Sequence, residues 1–214
     1  MNSPLQLARA GYDFPVSKFY FWLKLRGLKK FLAILFLKIT GWKVPEKKEE
    51  IDRMKHSVMV AAPHTSNWDF PFALAAFWRM GIDLKYFIKS EYTNGLFGWF
   101  FRWTGAVGVN RSLKKNHLTD YAIELMKTKK QMVLLVPAEG TRKAAPKWRT
   151  GFYRIAREAN VPISLGYLDY SRKTAGVLDV FTPSGDFETD MYHIQEKYRP
   201  IKGKHPENYN PEIF

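Results

Sequence analysis

Between residues 58 and 181, short apolar runs of strand length alternate with longer stretches of helical periodicity, and this alternation restricts the fold more than any other feature of the chain. Runs at 58–62, 84–88, 106–109, 132–136, 163–168 and 177–181 read as strands, and 68–80, 113–128 and 151–159 read as helices. Strands separated by helices return to the same end of a sheet and pair in parallel. The expected fold class is therefore α/β, a mixed, largely parallel sheet flanked by helices. Ligands of such sheets gather where strands end and loops begin, so chemistry is sought in the segments that follow the apolar runs.

The chain of 214 residues is long enough for one domain with a small appendage. Residues 1–50 read as an N-terminal helical segment closed by the charged linker Pro45-Glu46-Lys47-Lys48-Glu49-Glu50. Residues 51–201 carry the α/β pattern. Residues 202–214, with Pro206 and Pro211, read as an extended and poorly anchored tail. The absence of cysteine excludes a disulfide framework, a cysteine nucleophile, a thiolate zinc site and an iron–sulfur cluster. A net charge of +14 favours polyanions or anionic surfaces: nucleic acid, anionic lipid and phosphorylated substrates all fit.

Residues 1–15 lack the basic start, apolar centre and small-residue cleavage site of a signal peptide. Between Asp13 and Glu46 there is no acidic residue, while Lys18, Lys24, Arg26, Lys29, Lys30 and Lys38 interrupt a stretch rich in Phe, Leu and Trp. Each cation at the centre of a bilayer span costs roughly 2.5–3.5 kcal/mol, so the stretch is not read as a span. Phe21, Leu25, Leu28, Leu32, Leu35, Ile39 and Trp42 recur at alternating steps of four and three and form one helical stripe. A stripe of this kind either lies in a membrane interface or docks on the protein's own core. The aromatic excess and uniform positive sign favour the interface, because a docked helix mixes charge signs on its wet face.

Four segments carry candidate chemistry. His64 and Asp69, in Pro63-His64-Thr65-Ser66-Asn67-Trp68-Asp69, follow a strand and open a helix. Five residues is not a same-face helical spacing, yet a turn leading into a first helical turn can fold the carboxylate back onto the imidazole. An Asp on one ring nitrogen orients the ring and raises the basicity of the other nitrogen. The competing reading is a helix cap from Ser66, Asn67 or Asp69. Ser66 is a poor hydrolase nucleophile, since no G-x-S-x-G elbow occurs. Glu139-Gly140-Thr141-Arg142 follows another strand, where glycine admits an anion close to the backbone and Arg142 offers a planar fork for phosphate. Gly105–Arg111 places Arg111 just past a third strand. From Arg142 through Arg157 six cations occur with no acid, which is either an anion-binding surface or a solvated face. There is no P-loop, no G-x-G-x-x-G and no paired-histidine metal spacing.

Together these segments resemble the glycerolipid acyltransferase family, the 1-acylglycerol-3-phosphate acyltransferases and their relatives. His64 and Asp69 match its H-x-x-x-x-D motif, Gly105–Arg111 its glycine-rich strand ending in Arg, Glu139–Arg142 its E-G-T-R, and Val161-Pro162-Ile163 its V-P-I run, in the family's order. Three positions depart from the family pattern: Ala138 stands before Glu139, Leu165 and Gly166 replace a second proline, and Asn110 precedes Arg111. The resemblance implies that His64, oriented by Asp69, deprotonates an acceptor hydroxyl that attacks an acyl thioester, with no cofactor and no metal. It implies that Arg111, Arg142 and Lys89 clamp the acceptor's phosphate while Glu139, with Gly140 and Thr141, orients it. The implied partners are a lysophospholipid, acyl-CoA or acyl carrier protein as donor, and an anionic membrane surface. The implied location is peripheral and monotopic on the cytoplasmic face. The acceptor stays open between lysophosphatidic acid and another lysolipid or an aminolipid. A nucleic-acid-binding protein is disfavoured, because the aromatics cluster in apolar stretches such as Phe97-Gly98-Trp99-Phe100-Phe101 instead of alternating with cations.

Overall fold

The computed structural model describes residues 16–110 and 115–214, with side chains from 26 to 110 and from 118 onward. The signal-peptide reading of residues 1–15 and the site residue Arg111 lie outside the described residues, as do the side chains of Phe21 and Leu25.

β1 (Ser57–Ala62) lies inside a six-stranded sheet. It pairs in parallel with β4 (Val133–Val136) on one side and β5 (Ile163–Asp169) on the other. β2 (Leu84–Lys89) follows β4 in parallel, and β3 (Ala106–Val109) forms that edge. β6 (Thr174–Phe181) closes the other edge antiparallel to β5, so the order is β3-β2-β4-β1-β5-β6 and the sheet is mixed. Strand residues alternate between faces. Val58, Val60, Leu134, Ile163 and Leu165 enter one core, with helices α6 (Lys115–Thr128), α7 (Gly151–Ala159) and α8 (Phe187–Tyr198). Met59, Val133, Leu168 and Val177 enter the other, under α1 (Val16–Thr40), α2 (Lys48–Met54) and α3 (Asp69–Arg79). The result is three layers, with helices on both faces of a sheet whose central strands are apolar on both sides. Two short helices, α4 (Ser90–Asn94) and α5 (Gly98–Thr104), make the crossover from β2 to β3.

α1 is one helix, and its faces divide differently from the single stripe expected. Among the described side chains of α1, Ala33 and Leu37, one turn apart, are the buried ones, packed with Phe36 and Trp42 against Phe72 of α3. Lys29 holds the same face down through Asp83 at 2.6 Å. Leu28, Leu32, Leu35 and Ile39 of the stripe point away from that contact and stay exposed, joined by Phe31, which is 63% exposed. Trp42, past the helix end, leaves the stripe and stacks on Phe72 with centroids 4.4 Å apart. No described helix is long and apolar enough to cross a membrane.

The tail departs from expectation. It is extended apart from one short 3₁₀ turn (Pro206–Asn208), but it is firmly held. Ile213 is fully buried; its carbonyl accepts from the Trp148 amide and its amide donates to Gln195 Oε1, each at 2.9 Å. The Asn210 side-chain amide donates to the carbonyls of Ala145 and Pro146. One deeply buried aliphatic side chain near the end of the segment outweighs its polar, proline-rich composition.

Candidate active site

β1, β4 and β5 end side by side: Val60 lies beside Val136, and Ala61 beside Gly166. The segments that leave these strands therefore converge. The first, from the cis Ala62–Pro63 peptide to Asp69, wraps around one carboxylate. Asp69 Oδ2 accepts from the amides of Thr65 and Ser66, each at 2.9 Å, and lies 3.0 Å from His64 Nδ1. Its other oxygen, Oδ1, accepts from the Tyr170 hydroxyl at 2.8 Å. The capping role that competed in sequence is not taken up: the helix Asp69–Arg79 has no side-chain cap, and the carboxylate gathers the imidazole and the amides of the turn that precedes the helix. Burial pushes the Asp69 carboxyl up, but the hydrogen bonds from His64, Ser66 and Tyr170 outweigh burial and leave it below its ordinary value. The Tyr170 hydroxyl, desolvated and facing that carboxylate, is pushed far up and remains a donor. With Nδ1 committed to Asp69, Nε2 of His64 is the ring nitrogen left to exchange a proton.

The second segment turns sharply after β4. Gly140 sits at φ +67°, a conformation costly for a residue with a side chain, and its amide donates to Pro137. Glu139 is buried in this turn, where Oε1 accepts from the His64 backbone amide at 2.6 Å and Oε2 has no hydrogen-bond partner among the described residues. Desolvation raises its carboxyl to about 7, against the lowering effect of the His64 amide. The tail completes the frame. His205 donates its amide to Thr65 Oγ1 at 3.2 Å, and the Lys202 carbonyl accepts from the Tyr170 amide at 2.9 Å. Gly203 passes so close that an added Cβ would lie 2.8 Å from Thr65 Oγ1.

His64 and Asp69 open onto a cavity of about 720 Å³. Its walls are mostly apolar, from Ala73 and Phe77 of α3, Tyr86 and Phe87 of β2, Leu135 and Val136 of β4, and Gly166 to Leu168 of β5. Polar groups are few: Asn110, Arg149 and the His64–Asp69 pair. Such a lining suits an amphiphile with a long apolar part and a polar reacting end. Of the residues singled out in sequence, the structure brings His64, Asp69 and Gly140 to this cavity, with Glu139 buried against the His64 backbone. Thr141 and Arg142 lie exposed beyond it, and Lys89 is exposed at the end of β2. Arg149 is the cation that sequence reasoning did not single out from the basic run. Its guanidinium packs over Gly140, where a Cβ would lie 2.5 Å from Nε, and its backbone amide donates to Ala138. Tyr170 was not foreseen either, being 101 residues from its partner Asp69.

Comparison with known proteins adds three findings. A family model described as Acyltransferase matches residues 43–164. A 1-acyl-sn-glycerol-3-phosphate acyltransferase of Streptococcus pneumoniae is 27% identical over 144 residues, which are 67% of this chain and 52% of that protein. The chain thus spans about half the length of this curated relative. The crystal structure of the 1-acyl-sn-glycerophosphate (LPA) acyltransferase PlsC from Thermotoga maritima superposes with a TM-score of 0.60 at 16% identity, over 91% of this chain and 85% of that one, a likeness of fold.

Proposed function

This chain belongs to the acyltransferase family of glycerolipid enzymes, and we propose that within it the protein moves a fatty acyl group from an acyl thioester to the free hydroxyl of 1-acylglycerol-3-phosphate, giving phosphatidic acid. The observation that carries this reading is the His64 Nδ1–Asp69 Oδ2 pair at 3.0 Å, set in the wall of a largely apolar cavity. His64 Nε2 takes the proton of the acceptor hydroxyl as its oxygen attacks the thioester carbonyl carbon. The C–O bond forms, the C–S bond breaks, and the thiolate leaves with the proton returned by the imidazolium. The thioester is already activated, so the step needs neither a metal nor a covalent enzyme intermediate. The apolar walls hold acyl chain, and Arg149 offers the acceptor's phosphate a fork at the cavity. Arg142 and Lys89, exposed beyond the cavity, serve as outer cations that attract an anionic headgroup and the anionic donor, acyl-CoA or acyl carrier protein, and Arg111 keeps the phosphate-binding role that the family motif implies. Glu139 holds the His64 backbone in place through its amide.

The same reading places the enzyme as a monotopic protein on the cytoplasmic face of a membrane, where thioester donors are available. The exposed stripe Leu28, Leu32, Leu35 and Ile39, with Arg26 and Lys38 exposed beside it, supports interfacial attachment. A second acceptor class, a lysolipid or aminolipid precursor without phosphate, is favoured by one observation: Arg142 and Lys89 do not line the cavity.

The test uses purified protein in detergent micelles with lysophosphatidic acid and palmitoyl-CoA, following free thiol with a dye. The chain contributes no thiol background. Acceptor-dependent release in wild type that drops by about 10²–10⁴ in His64→Ala supports the reading. Equal release from both proteins refutes the role given to His64. Release with a phosphate-free lysolipid in preference to lysophosphatidic acid selects the second acceptor class.

A further inference from the structure

Besides α1, the described chain exposes a concentrated apolar surface at the junction of α4 and α5. Leu96 is 86% exposed, Phe97 63% and Trp99 65%, with Tyr92 and Phe100 also exposed. Loop tips are ordinarily polar, and large apolar side chains gathered on one tip mark an interaction surface. This tip is tied down. Gly98 passes so close to Thr93 that an added Cβ would lie 2.1 Å from the Thr93 carbonyl oxygen, and Arg102 donates to that same oxygen. The exposure is therefore built into the crossover.

We propose that this tip inserts into the boundary between headgroups and acyl chains of an anionic phospholipid bilayer, as a membrane contact additional to α1. Three observations select lipid as the occupant. First, no acidic residue occurs from Tyr92 through Asn110, while Arg102 does, and the chain as a whole carries +14, which complements an anionic surface and opposes a second copy of the chain. Second, the tip is continuous with α1: Phe100 meets Trp103 at 6.1 Å, Trp103 meets Trp78 at 5.0 Å, and Lys29 Nζ lies 5.3 and 5.7 Å from those two tryptophan rings, one residue from exposed Leu28. Third, the crossover joins strands that reach the cavity. Phe87 of β2 lines it before the tip, and Val109 of β3 lines it after, with Gly108 packed against Thr93 at the base of the tip. Insertion of the tip brings this wall of the cavity to the lipid surface. Only this third observation rests on the lipid-substrate reading above.

The test compares the full chain with its Leu96→Ser/Trp99→Ser variant in sedimentation with vesicles of equal parts phosphatidylglycerol and phosphatidylcholine. Bound protein is expected to fall by about tenfold or more, with far-UV circular dichroism unchanged. Transfer between short-chain, monodisperse substrates is expected to be the same in both proteins. A second measurement avoids polar substitutions altogether: the emission lost in Trp99→Phe, taken as the Trp99 signal, is expected to be quenched by vesicles brominated on the acyl chains. Unchanged vesicle binding in the double variant, or a Trp99 signal that brominated lipid does not quench, overturns the proposal. A lipid-free dimer that the variant loses, with vesicle binding intact, overturns it in favour of a protein interface. Weaker vesicle binding in the variant, with no acyl transfer by either protein, upholds the tip and removes the acyltransferase reading instead.

Discussion

Replacing Tyr170 by Phe tests how the buried carboxylate at the candidate site is held. The ring contacts of Tyr170, with Trp42 at 4.9 Å and Phe72 at 5.9 Å, survive the substitution. Only the hydroxyl is lost, and with it the donor to Asp69 Oδ1 at 2.8 Å. Asp69 is 5% exposed, so water has little access to the freed oxygen. A hydrogen bond to a buried charged group contributes about 1.5–3 kcal/mol. For a chain of this length that loss lowers Tm by roughly 3–12 °C at pH 7. The pH dependence follows from Asp69 being held below its ordinary value. A depressed carboxyl stabilises the fold above its unfolded pKa, and the contribution disappears as pH falls through the folded value. The penalty of Tyr170→Phe is therefore full at pH 7, shrinks below about pH 4, and is lost only once pH has fallen through the depressed value that Asp69 has in the wild type. Removing a donor also raises the Asp69 pKa, so the acid limb of the activity profile moves to higher pH. Urea denaturation between pH 7 and pH 3.5 and a pH–rate profile measure both effects. A Phe variant that melts with wild type at pH 7 and keeps the same acid limb would refute the assignment of Tyr170 as the group that positions Asp69.

Three other outcomes are expected. Glu139, raised to about 7, weakens the fold as pH rises, because the contribution of its neutral form is present below about pH 4.5 and lost through 7. Denaturation of wild type should therefore show stability declining by up to about 3 kcal/mol from acid to alkaline pH, and Glu139→Gln should remove most of that slope. On α1, Leu37→Glu places a charge at a position 3% exposed and should lower the melting temperature sharply, whereas Leu35→Glu, at a position 46% exposed, should leave melting unchanged and weaken vesicle sedimentation. Equal melting of the two variants would contradict the assignment of the docked face. Ile213→Ala should cost about 2–5 kcal/mol in urea denaturation, since the residue is fully buried; a loss within error of zero would mean that the tail does not belong to the core.

What could be read from sequence was written in contiguous stretches, and what escaped it depends on contacts between distant ones. The six strands were legible because each is a short apolar run bounded by polar residues, whereas their order in the sheet was not, since several orders satisfy parallel crossovers. α8 was not read, because its core face, Met191, Ile194, Gln195 and Tyr198, interrupts the apolar positions with Gln195, whose side chain accepts from the Ile213 amide. The stripe of α1 was visible, but the face that docks was not, since it begins with Ala33, whose small side chain lets the helices approach and contributes little to any hydrophobic pattern. At the site, His64 and Asp69 were linked in sequence by their match to the H-x-x-x-x-D motif; in the structure the five-residue step closes because the Thr65 and Ser66 amides point at the carboxylate. Arg149 could not be separated from its neighbours in the basic run, because what distinguishes it is the missing side chain of Gly140 beneath its guanidinium. Tyr170 and residues 202–205 were invisible for the same reason, although they constrain the site directly. Tyr170 grips Asp69 with its hydroxyl and the Lys202 carbonyl with its amide, and three residues later the tail grips Thr65. The turn that carries His64 is thus clamped between a tyrosine and a tail that bind each other, so weakening the anchorage at Ile213 should be felt at His64 before it is felt in the sheet.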